Sequence, residues 1–138
     1  MLMDVKVVFP GGKRVDALIN GFTIETDQAV QGGGEGSAPE PFTLFLASMA
    51  TCAGIYVLAF CQNRGLSTEG IYLTMTNEID PDKRLIGRVI INIIVPDAFP
   101  QKYHAPLIRS AEQCAVAKHI EETLPVFAVD VLTHCEVE

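Results

Sequence analysis

Four cysteines and three histidines are the side chains here with the widest chemical reach, and one of them has an unusual setting. Cys52 sits in the middle of Pro41–Asn63, 23 residues without a charge between Glu40 and Arg64. A thiolate is a nucleophile and a thiol is not, and a dry apolar setting raises a thiol pKa unless a cation or hydrogen-bond donor is supplied. On its own, a buried helical cysteine is a small hydrophobe. Cys61 follows Cys52 by nine residues, roughly 180° around a helix, so the two cannot face one pocket. Cys114 falls on a second predicted helix, and nothing in the periodicity brings it to Cys52. Cys135 falls on a predicted final strand, where packing is its expected role. No pair forms C-x-x-C. His104, His119 and His134 are scattered; His134 and Cys135 would point to opposite faces of a strand, and His119 follows Cys114 at an awkward helical spacing for a shared metal. Neither a metal site nor a cofactor is expected. No G-x-S-x-G motif anchors a serine triad.

The uncharged run is long enough to cross a bilayer. It nevertheless contains Thr43, Ser48, Thr51, Gly54, Cys61 and Gln62, its upstream flank carries Glu35 and Glu40, and Arg64 is the only base close downstream. That is a poor positive-inside signal. Met1–Phe9 alternates charged and apolar residues instead of forming a signal peptide. A buried core helix is the expectation, with no membrane association. Such a helix is apolar all round and must be covered on every side.

At 138 residues, one domain spanning residues 1–138 is expected. An apolar share of 49% against 20% charged residues implies buried surface beyond a single core, such as an oligomer interface. The net charge of −7, without a basic stripe, disfavours nucleic acid. Free cysteines without a secretory signal suit a reducing compartment, and the cytoplasm is the default.

The remaining elements follow from local pattern. Leu2–Phe9 and Arg14–Ile19 read as strands around Pro10-Gly11-Gly12. Asn20-Gly21 signals a type I′ hairpin, and Phe22–Thr26 a third strand. Gln31–Pro39 reads as a flexible connection; without the Lys-Ser/Thr ending of a P-loop, and with Glu35 in it, it is not a phosphate cradle. Pro41 suits the first turn of the long helix, which should end at Gly65-Leu66 in a Schellman cap. Gly70–Ile79 and Leu85–Val95 form a strand pair across Asp80–Lys83. Pro106–Leu124 reads as one helix stopped by Pro125, and Val126–Val137 as a last strand. The order is β-β-β-α-β-β-α-β, an α+β fold with antiparallel pairing.

Pro41-Phe-Thr-Leu-Phe-Leu-Ala-Ser-Met-Ala-Thr-Cys52 resembles the P-x-x-L-x-x-A-x-x-x-C helix of the OsmC/Ohr family, the osmotically induced and organic hydroperoxide resistance proteins. Gly32–Gly36 and Ala38-Pro39 resemble its Gly-rich approach. Ala111-Glu-Gln-Cys114-Ala-Val116 is similar to the second family motif, A-x-x-C-P-V. The resemblance implies an intertwined homodimer in which sheets from both chains wrap two central helices. It implies reduction of organic hydroperoxides: Cys52 attacking the O–O bond, Cys114 closing a disulfide, and a dithiol, lipoyl-type in the characterised branch, restoring the pair.

Three departures go with it. The glutamate that follows the helix-starting proline in the hydroperoxide-reducing branch, where it orients an activating arginine, is Phe42 here, and Glu40 lies before Pro41. Ala115 replaces the proline after the second cysteine, so the helix is expected to run on unkinked. Arg14 is the only arginine in the N-terminal hairpin and takes the activating role by position. Two other functions suit the same scaffold: a non-enzymatic small-molecule or lipid-binding protein, and a thiol protein handling persulfides or electrophiles.

Overall fold

The computed structural model describes residues 4–122 and 124–136. The element order is β1 (Lys6–Gly11), β2 (Arg14–Ile19), β3 (Phe22–Ile24), α1 (Pro41–Asn63), β4 (Tyr72–Ile79), β5 (Ile86–Ile94), α2 (His104–Ala111) and α3 (Ala115–Glu121). Among the described residues the fold is mixed α+β with antiparallel sheets and three α-helices. The chain gathers into two compact units, residues 1–51 with 72–94 and residues 52–71 with 95–138, and α1 contributes to both.

The first unit holds two antiparallel sheets, β1-β2-β3 and β4-β5. Asn20 (φ 49°) and Gly21 (φ 80°) both take positive φ, as a type I′ turn requires, and set Ile19 opposite Phe22. β1 runs through Pro10 to Gly11 rather than stopping at Phe9; its register with β2 shifts between Val8 and Gly11, and an edge strand tolerates a proline that donates no hydrogen bond. Leu2 lies outside the described residues. β4 and β5 pair from Tyr72–Ile94 to Ile79–Ile86, closed by Asp80, whose Oδ1 accepts from the Asp82 and Lys83 N–H groups at 2.9 and 3.1 Å.

The Gly-rich segment is more than a flexible connection. It is folded around Asp27, whose carboxylate accepts from the N–H groups of Gln28 (2.7 Å), Ser37 (3.0 Å) and Glu35 (3.4 Å) and from the Ser37 hydroxyl (2.6 Å). Asp27 is 1% exposed. A Cβ on Gly34 would lie 2.1 Å from the Gln28 carbonyl oxygen, so this close approach of two backbones admits only glycine.

The second unit carries most of the apolar core: Ala53, Val57, Phe60 and Cys61 from α1, Leu107 from α2, and Cys114. α1 ends as its sequence predicts. The Leu66 N–H bonds to Cys61 O at 2.9 Å and the Gly65 N–H to Gln62 O at 3.2 Å, with Gly65 at φ 64°, which is a Schellman cap.

Two expectations need correction. Pro106–Leu124 is not one helix: α2 ends at Ala111, and α3 starts afresh at Ala115 after a break at Cys114 (φ −47°, ψ 122°). Val126–Glu136 forms no strand among the described residues and ends in a 3-10 turn at His134–Glu136. Its β-rich composition finds no ladder within the chain, and Val126 and Val129 are each 95% exposed. Strand formation needs a partner edge as well as the right residues.

Candidate active site

The break before α3 creates the site. Cys114 occupies the N-cap position, and its Sγ accepts from the Ala117 N–H at 3.5 Å. A capping side chain ordinarily supplies oxygen; here sulfur takes that place. Ala115 is the first residue of α3, the position at which proline is favoured because its missing N–H has no helical partner. The break therefore survives the exchange of proline for alanine, contrary to the sequence expectation.

Cys52, partly exposed on α1, faces this helix start. Its thiol pKa is lowered, first by the Val116 N–H, next by the Cys114 thiol and more weakly by the Ala115 N–H, with burial opposing them. The N–H groups of a first helical turn have no helical acceptors and stabilise a nearby anion. Cys114 moves the other way: burial raises its thiol most, and the neighbouring Cys52 adds to the rise, while the Ala117 and Val116 N–H groups oppose it. The two thiols are thereby shifted in opposite directions, Cys52 down and Cys114 up. Cys61, 0% exposed, is also raised by burial, with Arg64 opposing. Cys135 is exposed.

Arg14 lies in the first unit. Its Nη2 is 3.3 Å from Asp16 Oδ2 and 3.3 Å from Glu25 Oε1, a guanidinium shared between two carboxylates. Arg14 Nε and Asp16 Oδ1 are buried without a hydrogen-bond partner among the described residues. Glu40 does not stand in for the missing family glutamate: its Oε1 accepts from the Ala29 N–H at 3.1 Å, tying the Gly-rich segment to the start of α1. Phe42 instead packs against Phe45, with ring centroids 5.7 Å apart. Among the described residues, no three His, Cys, Asp or Glu side chains gather where a metal could be held.

The Val116 and Ala115 N–H groups are the contributors that sequence reasoning missed. Neither glycine nor proline marks the break between Ala111 and Ala115, so only the similarity of Ala111–Val116 to the second family motif could have pointed to them.

Comparison with known proteins identifies the family and the fold. The OsmC-like protein family matches residues 34–127, which include both cysteines, and the chain belongs to that family. Solved structures share its fold. A candidate osmotic stress induced and detoxification response protein from Psychrobacter arcticus is 26% identical with a TM-score of 0.70, over 86% of this chain and 88% of that one. An OsmC-like protein from Mycoplasma pneumoniae is 11% identical with a TM-score of 0.69, over 89% of each chain. An organic hydroperoxide resistance protein OsmC from Legionella pneumophila is 19% identical with a TM-score of 0.56, over 88% of this chain and 90% of that one. The comparison with curated proteins returns no match. By length and composition α1 could cross a membrane, a test that the core helix of a soluble protein also passes; 28% of its most apolar stretch is buried within the chain.

Proposed function

We propose that the chain is a thiol-dependent peroxidase that reduces organic hydroperoxides through Cys52 and Cys114. The observation that carries this reading is the opposite displacement of the two thiols at the start of α3. The Cys52 thiolate attacks the proton-bearing oxygen of the hydroperoxide. An S–O bond forms, the O–O bond breaks, and the departing alkoxide takes a proton to become an alcohol. The Cys114 thiol then attacks the sulfenic sulfur; S–S forms and the hydroxyl leaves as water with the Cys114 proton. An external dithiol, lipoyl-type by analogy with the family, reduces the disulfide by exchange and is itself oxidised. Arg14, held by Asp16 and Glu25, is the candidate activating cation.

A homodimer in the cytoplasm completes the proposal. Phe42, Phe45 and Ile55 of α1 and Val126–Val131 leave apolar surface exposed, and a helix this apolar is stable in water only when covered. A second copy supplies that cover.

The decisive experiment treats reduced protein with one equivalent of cumene hydroperoxide. Loss of two hydrogens mapped to a Cys52–Cys114 disulfide supports the cycle, and Cys52→Ser abolishes peroxide consumption. Unchanged turnover in that variant eliminates the mechanism. Phe42 in the carboxylate position favours a second reading, a small-molecule or lipid-binding protein; a fatty ligand retained in native mass spectrometry, without peroxide consumption, would select it. Trapping a persulfide or electrophile adduct on Cys52 would instead select a thiol-transfer role.

A further inference from the structure

Cys114 carries two duties that it cannot perform together. In the reduced chain it is the non-helical residue before α3 (ψ 122°), and its Sγ caps that helix by accepting from the Ala117 N–H at 3.5 Å. The same sulfur stands within hydrogen-bond reach of Cys52, whose own sulfur meets the Val116 and Ala115 N–H groups. Two sulfurs thus serve one helix start, where the first N–H groups have no partner along the helix. Joining them ends both services. A disulfide leaves no anion on Cys52 for the Val116 and Ala115 N–H groups. The contact from Cys114 to Ala117 is already long, so a shift on the order of 1 Å, which closing an S–S bond requires, breaks it.

Little else holds α3. It is seven residues long, Ala115–Glu121, and none of them is buried. A helix of that length is marginal in water without packing, so its caps decide whether it forms. The His119 Nδ1–H donates to Ala115 O at 2.6 Å, and Lys118 also lies in the last turn; both favour the C-terminal end. The first turn depends on the sulfurs. α3 also lies outside the loop that a Cys52–Cys114 bond closes, so the crosslink lends it no loop-closure stability. Finally, Cys114 is 3% exposed, and attack on its sulfur by an external dithiol requires its surroundings to give way.

We propose that α3 is a redox-sensitive latch: it is capped while both thiols are free, and its first turn loosens when Cys52 and Cys114 join, baring the Cys114 sulfur to the reductant. The place of the latch in a catalytic cycle rests on the peroxidase reading above. The loosening does not, since any two-electron oxidant of thiols sets it off. The two thiols give up two protons and two electrons; a hydroperoxide takes them to become alcohol and water, and diamide takes them to become its hydrazine. Exchange with a reducing dithiol returns both thiols and restores the cap.

The test is pulsed amide hydrogen exchange on the full chain, reduced and then oxidised with diamide so that no peroxide is involved. Peptide mapping should first find the Cys52–Cys114 disulfide. The amides of Lys118–Glu122, among which the Lys118 and Glu122 N–H groups donate to Cys114 O and Lys118 O, should then exchange about five-fold faster than in the reduced chain. That is the factor a lost N-cap carries. Amides of β4 and β5 should not change. In reducing buffer, Cys114→Ala should show the same rise without any disulfide, and Cys114→Ser, with an oxygen cap, should not. Unchanged or slower exchange on oxidation overturns the latch, as does failure of diamide to join the two cysteines. If the Cys114 variants do not fold, the reduced-to-oxidised comparison on wild type decides alone. A chain that loosens with diamide yet is inert to cumene hydroperoxide sinks the peroxidase reading and leaves the latch standing.

Discussion

Two places in this chain hold an incipient anion against backbone N–H groups, and they differ in what is left over. Around Asp27, three N–H groups and the Ser37 hydroxyl converge on one carboxylate that is 1% exposed. Its pKa falls from 3.8 to about 2, chiefly through the Ser37 hydroxyl and the Ser37 and Gln28 N–H groups. Three of these bonds fall on Oδ2 and one on Oδ1, and with almost no exposure the carboxylate serves to organise the loop. At Cys52 the Val116 and Ala115 N–H groups and the Cys114 thiol favour the thiolate, yet the residue remains partly exposed. Burial with four hydrogen bonds makes a structural anion; partial satisfaction with access leaves Cys52 open to the reaction proposed for it.

The largest effect tests the reactive half of that contrast. Cys52→Ser should reduce hydroperoxide consumption to background, whereas Cys61→Ser, at a buried site with a raised pKa, should retain it in whatever fraction folds. Coupled consumption of the external dithiol reads both. Next comes Cys114→Ser, which removes the sulfur proposed to resolve the intermediate. A single turnover should then leave a sulfenic acid on Cys52 that a dimedone probe captures, where wild type gives a disulfide. Immediate disulfide formation with Cys135 in that variant would show that another thiol can resolve the intermediate.

The structural half predicts changes in stability. Gly34→Ala forces a methyl group against the Gln28 carbonyl and should cost about 2–3 kcal/mol in urea unfolding, a value typical of severe steric substitutions. The Asp27 pKa is lower in the folded chain than in the unfolded one. Its stabilisation is therefore complete above about pH 4 and is lost as the pH falls toward 2. The unfolding midpoint of wild type should drop across that window, and that of Asp27→Asn should drop less. Equal slopes would mean that the loop does not depend on the carboxylate's charge. The smallest expected effect is that of Ala115→Pro. Proline suits the first position of α3, so stability should rise by no more than about 0.5–1 kcal/mol. The substitution also removes the weakest N–H influence on Cys52, so iodoacetamide should label that thiol slightly more slowly near neutral pH.

Where structure was legible in the sequence, the determinants were close along the chain. Asn20-Gly21 set its turn, Gly65-Leu66 closed α1, and Asp80 turned β4 into β5, because each needs only a positive φ or a side chain reaching its own neighbourhood. The two cysteine motifs also marked the family that the match to residues 34–127 shows. Legibility failed where the outcome depended on distant partners. Val126–Val137 has the residues of a strand, but among the described residues it finds no edge to join. Ala111–Ala115 has no residue that breaks a helix, yet the helix ends there and Cys114 caps the next one. The Gly-rich stretch looked like a simple tether because nothing in its own composition reveals Asp27 as the residue it folds around.

The amino-acid order by itself determined the apolar helix, the hairpins and the presence of two cysteines in family motifs, since helix and turn preferences act over a few residues. Only the tertiary structure decided which thiol has its pKa lowered. That choice depends on unpaired N–H groups at the start of α3 meeting a side chain 63 and 64 positions earlier in the chain, at Ala115 and Val116 against Cys52. No local preference encodes such a meeting; it exists only once helix packing has brought the two segments together.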